Sequence, residues 1–137
     1  MSITLRGFAS ALLLVLSAGA VQADEPPAAG NPARGKLLFL QCAACHDLKP
    51  AAVAKVGPNL NGVLGRKAGS VPGLASSPAL KDSGIVWTEE LLDKWIEMPG
   101  KLVPGTAMAF AGVAKPADRA ALIAYLRQET AVATPAP

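Results

Sequence analysis

Five consecutive residues, Cys42-Ala43-Ala44-Cys45-His46, constrain this chain more than any other stretch. They follow the C-x-x-C-H pattern, which is the attachment signature of a c-type haem. Two thiols three positions apart can each add to a haem vinyl group, and the histidine that follows can bind the iron as its proximal ligand. The chain contains two cysteines and one histidine, so this motif holds all of them. We therefore expect one haem c, covalently bound through Cys42 and Cys45, with His46 on the iron.

Three other interpretations of the motif are weaker. Structural zinc usually takes four ligands, whereas Cys42, Cys45 and His46 supply three. A thioredoxin-like dithiol calls for a βαβ context, and the sequence shows no such pattern. A disulfide between the two cysteines would close too short a loop to stabilise the chain much.

The first residues indicate export. Residues 1–7 carry one positive charge, residues 8–20 form a nearly unbroken apolar run, and Val21-Gln22-Ala23 supplies the small residues that a signal peptidase recognises. We predict a secretory signal peptide over 1–23. The apolar run is shorter than the roughly 20 residues that span a bilayer, so a permanent membrane anchor is the weaker interpretation. Because bacteria attach haem c outside the cytoplasm, the expected location is the periplasm.

The rest of the chain is predicted to form one domain. Residues 24–30 are rich in proline and alanine and are expected to form a flexible leader, and 131–137 a disordered tail of similar composition. The domain then covers 31–130. The formal net charge is only +3, with no basic run and no aromatic platform, so nucleic acid is not an expected partner.

The domain is predicted to be all-α, with short helices and long loops around the cofactor. Capping residues and prolines mark helix starts at Asn31-Pro32, Ser77-Pro78, Thr88 and Lys115-Pro116. Pro99-Gly100 is expected to end the third helix. Gly35 lies within the first helix, where close approach by the last helix would explain a glycine.

Physical reasoning leaves some roles open. The thioether of Met108 lies in a Pro/Gly-rich turn and is better placed than that of Met98 to reach iron, although methionine also fills gaps in cores. Trp87 needs a partner for its indole N–H, either a haem propionate or a backbone carbonyl. Pro58 lacks an amide hydrogen and can offer only its carbonyl, which could fix the orientation of the histidine ring.

Taken together, the chain resembles the class I c-type cytochromes, in particular the mitochondrial cytochrome c and bacterial cytochrome c2 branch. The resemblance runs from about Gly35 to Leu126. Its markers, in chain order, are Gly35-Lys36 with Phe39, Cys42 to His46, Gly57-Pro58-Asn59-Leu60, Gly65-Arg66-Lys67, Gly84-Ile85-Val86-Trp87, Pro104 to Gly112 and Leu122-Ile123-Ala124-Tyr125-Leu126.

The resemblance implies a role for each of several residues. Cys42 and Cys45 would form the thioethers, with His46 as the proximal and Met108 as the distal ligand. The carbonyl of Pro58 would orient His46. Trp87 and Thr106 would meet the two propionates, and Gly35 and Tyr125 would lie where the first and last helices cross.

The sequence departs from the mitochondrial pattern at four positions. Ser76 and Leu102 stand where mitochondrial members carry aromatic residues, and Trp95 replaces a tyrosine near the methionine ligand. Ala107 replaces a lysine at the exposed haem edge, which thins the basic ring used in docking. The remaining lysines that could contribute are Lys36, Lys49, Lys67, Lys94 and Lys101.

The resemblance implies a soluble, monomeric carrier of single electrons and not an enzyme. Redox proteins would dock at the exposed haem edge and exchange electrons as the iron cycles between Fe(III) and Fe(II). One alternative is an electron-transfer subunit of a larger periplasmic oxidoreductase. A haem peroxidase or ligand sensor is a weaker alternative, because it needs an open or labile distal site.

Overall fold

The computed structural model describes residues 30–50 and 53–131. The predicted signal peptide lies outside the described residues, as do 24–29 of the leader and 132–137 of the tail. The described residues form five helices in chain order: α1 (Pro32–Phe39), α2 (Pro78–Asp82), α3 (Glu89–Glu97), α4 (Pro99–Leu102) and α5 (Pro116–Thr130). The only β-type pairing in this part of the chain is an isolated antiparallel bridge between Lys67 and Val86.

The predicted helix starts are confirmed. The side chains of Asn31, Ser77 and Thr88 accept hydrogen bonds from backbone amides in the first turns of α1, α2 and α3. Such caps satisfy amide groups that have no partner within the helix. Lys115 precedes α5, and Pro116 occupies its first position, where a missing N–H costs nothing.

The third helix ends at Glu97, just before Pro99-Gly100, as predicted. The short helix α4, which Pro99 then opens, was not predicted. Met98 is extended, with φ −165° and ψ 96°, so the chain turns before Pro99 starts a new helical turn. Proline restricts the residue before it to such extended conformations while suiting the first position of a helix itself.

The most extensive contact between helices joins α1 to α5. Gly35 lies at this crossing, where a Cβ atom would meet the carbonyl oxygen of Ala121 and lie 2.6 Å from Cβ of Tyr125. The rings of Phe39 and Tyr125 pack beside it with centroids 5.8 Å apart. The structure thus brings Gly35 and Tyr125 together as the resemblance implied, and the absence of a side chain lets the two helices approach.

The buried core lies between these helices, and a cavity opens beside it. The members of the core include Phe39, Trp87, Leu92, Trp95, Ile96, Leu122 and Leu126. The segments between α1 and α3 and between α4 and α5 supply most of the residues that line this cavity. The predicted all-α class I cytochrome c fold is confirmed.

Candidate haem site

The C-x-x-C-H residues form a tight turn directly after α1. The amide of Cys42 donates to the carbonyl of Phe39 at 2.8 Å, and the amides of Cys45 and His46 donate to the carbonyl of Cys42 at 3.0 and 2.9 Å. These i to i+3 and i to i+4 bonds place the motif on one turn. Cys45 is exposed, whereas partial burial raises the pKa of the Cys42 thiol. One thiol therefore lies deeper in the fold than the other.

His46 is oriented by the loop that follows the motif. Its Nδ1 atom lies 2.8 Å from the carbonyl oxygen of Pro58. A carbonyl can only accept, so Nδ1 carries the proton and Nε2 keeps its lone pair for a metal. The amide of Gly57 donates to the carbonyl of Cys45 at 2.9 Å, which holds this loop against the motif. The tautomer of the imidazole is thus set by a backbone contact.

A cavity of about 490 Å³ opens beside this turn. All seven residues singled out from the sequence line it: Cys42, Cys45, His46, Pro58, Trp87, Thr106 and Met108. The volume lies within the range of cofactor pockets, and most of the lining is apolar, as is typical of such sites. Residues from four separate stretches of the chain therefore line one cavity.

The distal candidate Met108 reaches the cavity from the segment between α4 and α5. Its amide donates to Oγ1 of Thr106 at 3.3 Å, and its carbonyl accepts from the amide of Phe110 at 3.1 Å. Met108 is half-buried and lines the cavity, whereas Met98 is 49% exposed and does not line it. Of the two methionines weighed from the sequence, the structure places Met108 with His46.

Two tryptophans form one wall of the cavity. Trp87 and Trp95 are each 7% exposed, and their rings pack with centroids 5.3 Å apart at an interplanar angle of 57°. Such a tilted pair stabilises by about 1 kcal/mol beyond the area that it buries. Trp95 thus fills the place of the expected tyrosine with a larger apolar surface and lines the cavity itself.

Arg66 is a residue of the site to which sequence reasoning assigned no role. It lines the cavity, and its two terminal nitrogens donate to the carbonyls of Asn61 at 2.9 Å and Asn59 at 2.8 Å. Its burial lowers the pKa of the guanidinium. The only signal available from the sequence was its position in the Gly65-Arg66-Lys67 marker, which does not indicate the carbonyl partners.

The donor set fits a covalently attached haem better than a structural zinc. In the described ranges, no three side chains of histidine, cysteine, aspartate and glutamate gather into a metal-binding group. The two thiols instead lie at the cavity wall with an imidazole whose Nε2 is free to bind. This arrangement suits two thioether bonds and one axial ligand. Fold and cavity together define a small all-α c-type haem domain.

Known proteins are similar to the chain over most of its length. The cytochrome c family model matches residues 32–130. The chain is 46% identical over 114 residues to cytochrome c2 of Rhodomicrobium vannielii, covering 83% of this chain and 91% of that protein. It is 50% identical over 100 residues to cytochrome c2 of Rhodoblastus acidophilus, covering 73% and 94%. Cytochrome cH from Methylobacterium extorquens matches in structure with a TM-score of 0.67 at 43% identity, covering 72% of this chain and 99% of that one.

The chain belongs to the cytochrome c family. It has one covalently bound haem c, works with redox partners, and is an electron carrier rather than an enzyme. None of the helices in the described part of the chain has the length and apolar character needed to cross a bilayer.

Proposed function

We propose that this protein is a soluble periplasmic shuttle that carries single electrons on one haem c, with His46 and Met108 as the axial ligands of the iron. The observation that carries the proposal is the convergence of all seven predicted site residues on one cavity. The haem supplies one-electron chemistry by cycling between Fe(III) and Fe(II). The protein attaches and orients the group, fills both axial positions and offers an edge to partners.

On the proximal side, the chain attaches the haem and fixes the ligand. Cys42 and Cys45 would form the two thioethers, and His46 would present Nε2 to the iron. The hydrogen bond from Nδ1 to Pro58 makes the imidazole more electron-donating and holds its ring plane. A ligand held in this way needs little rearrangement when the charge on the iron changes.

On the distal side, the thioether of Met108 would complete the coordination. Histidine with methionine raises the reduction potential of a cytochrome haem. If His46 and Met108 both bound the iron, no position would remain on it for a substrate or a diatomic ligand. This occupancy separates a carrier from a peroxidase or a sensor.

Polar groups at the cavity suit the two propionates. Trp87 and Thr106 both line the cavity, and an indole N–H and a hydroxyl can each donate a hydrogen bond to a carboxylate. We assign these two residues to the propionates. Apolar side chains cover most of the remaining cavity wall, which limits the access of water to the haem.

Partners would dock where the cavity reaches the surface. We call this surface the rim and define it by the exposed residues that line the cavity: Gln41, Cys45, Val56, Lys67, Ala75, Ala107 and Ala109. Lys67 is the one charged member of the rim. Lys94, another lysine considered for docking, pairs with Glu90 at 2.6 Å. We therefore propose brief docking by a monomer through a mostly uncharged rim, with little electrostatic steering.

The sequence supports the proposed location and chain organisation. Residues 1–23 have the composition of a signal peptide, which supports export to the periplasm and cleavage after Ala23. The family match over 32–130 supports a cytochrome domain at 31–130. The curated relatives named cytochrome c2 come from bacteria, in which haem c is attached outside the cytoplasm.

The proposal is tested on protein purified from the periplasm of a host that attaches haem c. A carrier gives a low-spin spectrum in both oxidation states and binds no carbon monoxide when reduced. A high-spin spectrum with carbon monoxide or peroxide binding would support the sensor or peroxidase instead. Size-exclusion chromatography should give a monomer, whereas recovery of a stable complex with an oxidoreductase would support the subunit alternative.

A further inference from the structure

The buried guanidinium of Arg119 connects α5, which carries it, to α3 and to the segment that precedes α5. Arg119 lies on α5, and its side chain is 7% exposed. Nε and Nη2 donate to the two carboxylate oxygens of Asp93 on α3, at 2.8 and 3.2 Å. Nη1 donates to the backbone carbonyls of Val113 at 3.1 Å and Ala114 at 2.9 Å. All three nitrogens of the guanidinium are therefore used.

The carbonyls that Arg119 binds belong to the segment that carries Met108. We call this segment, residues 103–115, the Met108 loop. Near Met108 its hydrogen bonds are local, from the amide of Met108 to Thr106 and from the amide of Phe110 to the carbonyl of Met108. Among the described residues, the middle of the loop is held to the rest of the fold by the packing of Met108 and Phe110 against the core, and the hydrogen bonds near Met108 do not tie it to another element.

The downstream end of the Met108 loop is fixed against α3. The amide of Val113 donates to the carbonyl of Ile96 at 2.9 Å. Gly112, at φ +97°, lies so close to the end of α3 that a Cβ atom would collide with the carbonyl oxygen of Glu97. Arg119 reinforces this junction, because it binds the loop through Val113 and α3 through Asp93. The contacts of Arg119, together with the hydrogen bond from Val113 to Ile96, form the anchor that holds the Met108 loop on α3 on the C-terminal side of Met108.

We propose that Arg119 is a positioning residue for the distal ligand: it holds the Met108 loop on α3 and thereby keeps the Met108 thioether at the iron. This inference rests on the proposed ligation by Met108. Arginine suits the role because its planar fork binds a carboxylate with two nitrogens and leaves the third for carbonyls. A lysine at the same position has one point of attachment and cannot bind all four acceptors.

A second ion pair between the same helices supplies a matched control. Arg127 on α5 lies 3.1 Å from Glu89 on α3, with both side chains about half exposed. This pair joins the same two helices as Arg119 and Asp93, yet its recorded hydrogen bond reaches no carbonyl of the Met108 loop. Replacing Arg127 with lysine therefore perturbs the contact between α3 and α5 without touching the proposed anchor.

The test compares Arg119→Lys with Arg127→Lys in the ferric haem-loaded protein at neutral pH. Imidazole is titrated as an external ligand that can bind only where Met108 has left the iron. A loop that opens more often raises the apparent affinity in proportion to the open fraction, and we expect about a tenfold increase for Arg119→Lys. For Arg127→Lys we expect an affinity close to that of the wild type. Denaturant unfolding of both variants reports global stability separately.

Each outcome bears on the proposal. Tighter imidazole binding in Arg119→Lys, larger than any change in Arg127→Lys, supports the positioning role. Equal imidazole affinities, with Arg119→Lys merely less stable to denaturant, would overturn it and leave a structural role only. If Arg119→Lys does not fold, Asp93→Asn takes its place, since it keeps the arginine but removes a charged partner; a smaller rise is expected, and no rise overturns the proposal. If Met108→Ala keeps the wild-type ferric spectrum, the ligation itself fails.

Discussion

The Nδ1 atom of His46 lies 2.8 Å from the carbonyl oxygen of Pro58. The contact joins the haem-attachment turn to the loop that follows it and leaves Nε2 of the imidazole as the available metal ligand. Gly57, immediately before Pro58, touches the same ring: a Cβ atom there would lie 2.5 Å from Cε1 of His46 and 2.7 Å from the carbonyl oxygen of Cys45. The loop that contains Gly57 and Pro58 therefore fits closely around the histidine. Small changes in this loop should shift the imidazole and so alter the reduction potential of the haem.

Gly57→Ala is predicted to disturb the proximal ligand. The added methyl group has no free space beside the His46 ring, so either the loop or the imidazole must shift, and overpacking of this kind costs about 1–3 kcal/mol. We expect a lower free energy of unfolding and an altered reduction potential, measured by denaturant titration and by redox titration of the haem-loaded protein. Gly100→Ala is the control, because a Cβ atom at Gly100 meets no atom within 4 Å. A potential and stability equal to those of the control would contradict the close fit.

Gly35→Ala is predicted to destabilise the crossing of α1 and α5. Alanine favours the helix itself by about 1 kcal/mol, but the new Cβ would collide with the backbone of Ala121 on α5. Since backbone cannot move aside as a side chain can, we expect a net loss of about 2 kcal/mol. The midpoint of denaturant unfolding should fall with little change in slope. An unchanged or higher midpoint would contradict the prediction, because it would mean that α1 and α5 can move apart with no loss in the free energy of unfolding.

The ion pair between Arg34 and Asp118 is predicted to make part of the stability depend on acid pH. Arg34 on α1 hydrogen-bonds Asp118 on α5 at 3.1 Å and holds the pKa of that carboxyl below its ordinary value of 3.8. A lowered folded pKa gives a stabilisation that is present above the ordinary pKa and is lost as the pH falls through the folded pKa. The contribution is small, because Arg34 is about half exposed.

Asp118→Asn tests this dependence directly. The variant should be slightly less stable than the wild type at neutral pH, and the two should begin to converge as the pH falls below 3.8, the ordinary pKa of the carboxyl, and approach each other further as the pH falls through the lowered folded pKa. Unfolding midpoints measured from neutral pH to pH 3 supply the comparison. A constant difference across this range would mean that the charge of Asp118 contributes nothing.

Electron transfer through the mostly uncharged rim is predicted to depend weakly on salt. Lys67 is its one charged member, so screening removes little attraction between the protein and an acidic redox partner. Ala107→Lys places a second cation on the rim and should make the association rate faster at low salt and more sensitive to it. Stopped-flow kinetics over a range of ionic strength tests both proteins. A steep salt dependence in the wild type would contradict the proposed docking surface.

Local signals in the sequence account for the parts of the fold that were predicted. Asn31, Ser77 and Thr88 act within their own helix starts, so each cap is visible without any knowledge of tertiary structure. The Cys42 to His46 motif is likewise contained in one turn. Its chemistry, together with the ordered markers, was sufficient to predict the class I cytochrome c fold and a single haem c.

Contacts between distant residues account for what was missed. Arg119 and Asp93 are 26 positions apart, and neither has a neighbour that indicates the pair. Arg66 was seen only as part of a marker, although its guanidinium binds two backbone carbonyls at the cavity. The helical turn α4 follows the extended Met98 and begins at Pro99, both of which a proline favours, but the pair Pro99-Gly100 was interpreted only as the end of the third helix.

The central claim, ligation of the iron by His46 and Met108, is tested most directly by absorption spectra of the haem-loaded wild type and the Met108→Ala variant. The wild type should be low-spin in both oxidation states, with a weak far-red band from methionine bound to ferric iron. In Met108→Ala the band should vanish, and the reduced protein should bind carbon monoxide. A band that survives the substitution, or a wild type that is high-spin and binds carbon monoxide unaided, would contradict the ligation and the electron-carrier account built on it.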